Sequence, residues 1–108
     1  MITLEDAENA VIEMAETDQE NARARADVDY TKHLAKTAYA VAFIESQSKT
    51  VAGREALAQI DADYGKAMRR HRDAQYTAEL LRTRRKGLEL TIDLYRSINS
   101  ARTKGIIV

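Results

Sequence analysis

The residues best suited to chemistry in this chain are cations on one predicted helix. Lys66, Arg69, Arg70 and Arg84 fall within about a quarter of the helix circumference at 100° per residue, with Arg72, Arg82 and Lys86 on the other flank. Arginines this dense can neutralise several phosphates of a polyanion through salt-sensitive contacts that do not read bases. Tyr39 and Tyr76 offer flat faces for stacking an unpaired base, with ordinary packing as the competing role. No helix-turn-helix, zinc-finger or RNA-recognition signature accompanies them, so sequence-specific duplex reading is not expected.

Catalysis finds little to work with. The chain has no cysteine, no Gly-rich phosphate loop and no nucleophile elbow. The positions three before His33 and His71 are Tyr30 and Met68, so the Glu-x-x-His arrangement of di-iron helices is missing. Asp61-Ala-Asp63-Tyr-Gly65 has its glycine one place early for a calcium loop, and Arg72 stands where the closing glutamate belongs. The reading is a chain that is not an enzyme, with no catalytic residue, cofactor or metal site.

Charge is neutral in total and uneven along the chain. Residues 1–20 hold seven acids and no Lys or Arg, whereas residues 61–108 hold eleven bases and six acids. Such asymmetry predicts a polyanion-binding half and an acidic arm that docks on it, docks on a neighbour or competes with the ligand. The bland alternative is two solvated helix faces. No apolar run reaches the ~18 residues of a membrane span, and the acidic start is unlike a secretion signal. A cytoplasmic location is expected.

These residues must be positioned by helices, because proline is absent and Ala, Glu, Lys, Leu and Arg dominate. The chain reads as a single helical domain, residues 1–108. An acidic short helix is predicted over 3–16, capped by Thr3, with Leu4, Ala7, Val11 and Met14 or Ala15 as its apolar stripe. Thr17-Asp18-Gln19-Glu20 looks like a second cap, which predicts a break there. A long helix follows over 19–45, with a seam of Tyr30, Leu34, Thr37, Val41 and Ile44 at coiled-coil spacing.

After a break at Ser46–Thr50, a short helix is predicted over 51–60, burying Val51, Ala52, Ala56, Leu57 and Ile60. The last long helix, 62–100, starts at an Asp61 cap. Its seam runs Tyr64, Ala67, His71, Ala74, Ala78, Leu81, Arg85, Leu88, Ile92 and Tyr95. Residues 101–108 form a tail that is either disordered or an interaction hook at Ile106-Ile107-Val108. The fold expected is all-α, a long antiparallel, coiled-coil-like hairpin with short accessory helices. Ala38, Ala42 and Phe43 lie off the seam and predict a homo-oligomer interface.

Ile44-Glu45-Ser46-Gln47-Ser48-Lys49 and Leu88-Glu-Leu-Thr-Ile-Asp-Leu-Tyr-Arg-Ser-Ile-Asn-Ser-Ala-Arg-Thr-Lys-Gly105 resemble the recombination mediator proteins of T-even-like phages. The resemblance implies a helical protomer that assembles into a ring and binds single-stranded DNA without sequence preference. It further implies a partnership with a recombinase or a single-strand-binding protein, in the bacterial host cytoplasm. It places Lys49 and Arg54 in the DNA-contacting region, in addition to Lys66, Arg69, Arg70 and Arg84, which charge placement alone nominates. An assembly protein acting only through protein contacts is the alternative.

Overall fold

The structure, a computed structural model, describes residues 1–105. Its elements are α1 (Leu4–Glu45), α2 (Val51–Gln59) and α3 (Ala62–Thr103), with no strand among the described residues. The protein is all-α. The expected hook at Ile106–Val108 lies outside the described residues.

Helix α1 starts where the capping signature places it. The Asp6 amide donates to Thr3 Oγ1 at 3.2 Å and the Thr3 amide donates to Asp6 Oδ2 at 2.9 Å, a reciprocal cap that satisfies two amides. The predicted break near Thr17 does not occur, and α1 continues as one helix of 42 residues. Thr17 does not cap; its hydroxyl donates back to the Glu13 carbonyl at 2.7 Å, and Asn21 Nδ2 donates to the Thr17 carbonyl at 2.9 Å. Neither Gly nor Pro interrupts the chain before Gly53, so nothing forces the helix to stop.

The short turn into α2 is held by side chains. Helix α1 has no basic residue in its last turn, and Arg54 of α2 supplies one, donating to the Phe43 and Ile44 carbonyls at 3.1 and 3.3 Å. That satisfies orphan acceptors and places a cation at the negative end of the helix dipole. Thr50 caps α2 through the Gly53 amide at 3.0 Å. A Cβ at Gly53 would lie 2.0 Å from Ser48 Oγ and 2.8 Å from Thr50 Oγ1, so any larger residue there would have to displace the hydroxyls that hold the cap. The predicted buried face of α2 is wrong: Val51, Ala52, Ala56, Leu57 and Ile60 are exposed, and Ala58 is the buried residue.

Asp61 caps α3 by accepting from the Tyr64 amide at 3.0 Å. The helix runs past the expected end at Ser100 to Thr103, and the chain leaves it through Gly105 at φ 70, the left-handed conformation usual after a helix.

The chain forms two compact units: Met1–Ala22 with Glu79–Val108, and Arg23–Ala78. Within each, α1 and α3 run antiparallel, as Arg102–Met1 and Arg84–Glu13 show in the first and Thr31–His71 and Tyr39–Tyr64 in the second. Every predicted α3 seam position, Arg85 included, is buried or half-buried. The α1 seam is displaced by one residue from the expected one. It runs Ala7, Ala10, Met14, Thr17, Asn21, Ala24, Val28, Thr31, Ala35, Ala38 and Ala42, all buried or half-buried at alternating steps of three and four. Tyr30, Val41 and Ile44 are instead 54%, 46% and 72% exposed. Small seam residues let the helix backbones approach, and the larger apolar side chains flank the contact.

Candidate nucleic-acid interface

The six residues expected to contact nucleic acid are divided between the two units. Lys66, Arg69 and Arg70 stand exposed on α3 in the Arg23–Ala78 unit, and Lys49 is exposed in the turn before α2. Arg54 is half-buried and already committed: besides its two carbonyl acceptors, its guanidinium lies 5.8 Å over the Phe43 ring. Arg84 belongs to the other unit, where Nε and Nη2 donate to Glu13 Oε2 and Oε1 at 2.7 and 2.6 Å. This fork-to-fork pair uses the geometry a phosphate would need. Arg54 and Arg84 thus already have partners within the fold.

The acidic arm docks on basic residues of its own unit. Besides Glu13–Arg84, Asp18 accepts from Arg85, which also lies 3.7 Å from Glu89. Arg84 holds the Glu13 carboxyl below its ordinary range by hydrogen bonding, and Glu13 in turn raises Arg84. The Asp6 carboxyl is lowered chiefly by the Thr3 amide and then by its hydroxyl.

Cations in the Arg23–Ala78 unit are placed differently. That unit has ten Lys and Arg against seven acids, while the other has seven against ten. All five ion pairs among the described residues involve bases of the Met1–Ala22 and Glu79–Val108 unit. Lys66, Arg69, Arg70 and Arg72 thus face solvent without a carboxylate within bridging distance.

Two tyrosines complete this surface. The Arg70 guanidinium lies 5.6 Å over the ring of Tyr30, a cation–π arrangement that holds the side chain in place and leaves its edge open. Tyr76 is 67% exposed and follows Arg69 and Arg72 at the i, i+3, i+7 spacing of one helix face. Tyr39, the other proposed stacking surface, packs edge-on against Tyr64 at 5.2 Å. Tyr30 escaped sequence reasoning because it was placed on the seam; its i, i+4 relation to Leu34 was the only signal.

Beneath the surface the helix pair is fixed by a polar contact. Thr31 is fully buried, its hydroxyl donates to the Asp27 carbonyl at 2.7 Å, and His71 Nδ1 lies 3.0 Å from the same oxygen. With the hydroxyl proton spent on Asp27, the imidazole Nδ1–H is the donor to Thr31. His71 is a packed seam residue, one position from Arg70 and Arg72. Among the described residues no three metal-ligating side chains gather, and no helix is long and apolar enough to cross a membrane.

The three residues of the predicted oligomer surface are each half-buried in the single chain. Ala38 and Ala42 lie on the α1 seam, and Phe43 lies under Arg54. A scan against protein-family models and searches of curated proteins and of solved structures find no match to this chain.

Proposed function

We propose that the chain binds single-stranded DNA without sequence preference and serves as a recombination mediator, assisting a recombinase on strands held by a single-strand-binding protein. The observation that carries the binding reading is the unpaired cationic surface of the Arg23–Ala78 unit, where Lys66, Arg69, Arg70 and Arg72 stand with Tyr30 and Tyr76. Charge supplies the affinity and an aromatic face accepts any base. The resemblance to phage mediators supplies the biological role, the absence of catalysis and a location in the bacterial host cytoplasm. Lys49 extends the cationic surface toward the turn, whereas Arg54 and Arg84 are kept for structure.

Fluorescence anisotropy with labelled single-stranded oligonucleotides at several salt concentrations tests this. Affinity should fall with salt at a logarithmic slope of about −0.7 per neutralised phosphate. Replacing Arg69, Arg70 and Arg72 together by glutamine should flatten the slope, and Arg84→Gln should leave it nearly unchanged. Absence of binding at low salt would sink the reading and leave an assembly protein acting through exposed leucines of α3.

A further inference from the structure

The outer face of α3 in the Met1–Ala22 and Glu79–Val108 unit carries a second coiled-coil row. Leu80, Thr83, Gly87, Leu90, Leu94 and Ser97 alternate by three and four, and all six are exposed. Leu80, Leu90 and Leu94 are 53%, 60% and 50% exposed. Gly87 sits in the middle, and a Cβ built there meets nothing within 4 Å. A row of leucines with an open notch at its centre leaves apolar surface in water.

We infer that this face is the contact between two copies of the chain, which pair α3 against α3 antiparallel about a two-fold axis between Leu88 and Glu89. The occupant follows from complementarity of both size and charge. In an antiparallel pair each core position faces one on the partner, and the row allows only registers seven residues apart. In the register centred between 88 and 89, Leu90 faces the partner's Gly87, Leu94 faces the partner's Thr83, and Leu80 faces the partner's Ser97. Every layer sets one leucine against one small residue, the alternation that fills space without overpacking. The flanking positions then bring Lys86 beside the partner's Asp93, twice by symmetry.

The two neighbouring registers are disfavoured by the same residues. Centred on Arg85, Lys86 would meet the partner's Lys86 and Glu79 the partner's Asp93, and centred on Ile92, Asp93 would meet the partner's Asp93, all like-charge contacts. Lys86 is free to serve the favourable register, since no ion pair among the described residues involves it. Among the described residues Asp93 is held only by Arg96 at 4.0 Å, with both side chains largely exposed. This surface uses none of the cations assigned to DNA and stands whether or not that assignment holds.

Sedimentation velocity on the full chain from about 1 to 100 µM tests the pairing, a range in which interfaces of this kind become populated. A reversible monomer–dimer equilibrium is expected. Lys86→Glu and Asp93→Lys should each weaken it about tenfold or more, and the double charge swap should restore it. Gly87→Leu, which has open space in the single chain, should keep the helical circular dichroism and abolish the dimer by filling the notch. A monomer across the whole range, a dimer indifferent to Gly87→Leu, or a charge swap without rescue overturns the inference.

Discussion

At the scale of single residues, the capping and ion-pairing carboxylates make stability depend on acid. Asp6 and Glu13 are lowered from ordinary values of 3.8 and 4.5. Their stabilisation is therefore complete above those values and is lost as pH falls through the lower folded ones. Glu13→Gln should lower the melting temperature at pH 7 and reduce the further loss between about pH 5 and pH 2, as followed by circular dichroism. A second residue-scale case is the glycine pair. Gly53→Ala drives a Cβ into the Ser48–Thr50 cap and should cost about 1 kcal/mol, the worth of a cap. Gly87→Ala enters open space inside a helix of the single chain and, at concentrations too low for two copies to pair, should instead stabilise by up to about 1 kcal/mol. Thermal melts giving the same sign for both would refute the assigned geometry.

At the scale of elements, the register of α1 is the finding with the clearest mutational consequence. Ala35 is buried on the seam and Val41 is exposed beside it, the reverse of what the size of the side chains suggests. Ala35→Leu should cost about 1–3 kcal/mol by overpacking the helix contact. Val41→Ala should stay within about 0.5 kcal/mol, as a surface change does. Denaturant unfolding with those two values exchanged would restore the register expected from the sequence. Helix α3 was legible in every seam position because Leu81, Leu88, Ile92 and Tyr95 announce the heptad. Helix α1 was not, because apart from Met14 and Val28 its seam is written in Ala, Thr and Asn, whose size gives little hydrophobic signal, while Tyr30, Leu34, Val41 and Ile44 repeat with the same period one residue away. The false break at Thr17 has a related cause: Thr-Asp-Gln-Glu suits a cap, yet a threonine hydroxyl can equally bond back into the helix, and only the continuing partner helix decides between them.

At the scale of the whole molecule, charge was legible as a gradient along the chain and illegible as a set of pairs. The surplus of bases after residue 61 is real, but Arg84 and Arg85 spend theirs on acids 71 and 67 positions away, a separation that spacing rules cannot bridge. The consequence is that acid should act unequally on the two units. The unit built from Met1–Ala22 and Glu79–Val108 contains the ion pairs and the lowered carboxylates, while Arg23–Ala78 is joined by the Thr31–His71 contact and alanine packing. Protonating Glu13 leaves Arg84 without its carboxylate partner and weakens the first unit directly. Hydrogen exchange, corrected for intrinsic rates and compared at pH 7 and about pH 3.5, should show protection falling first in residues 4–22 and 79–103. Amides around Thr31, Ala35 and Ala74 should keep theirs to lower pH. Uniform loss across both sets would mean that the molecule opens as a single cooperative unit and that the ion pairs are not what acid removes.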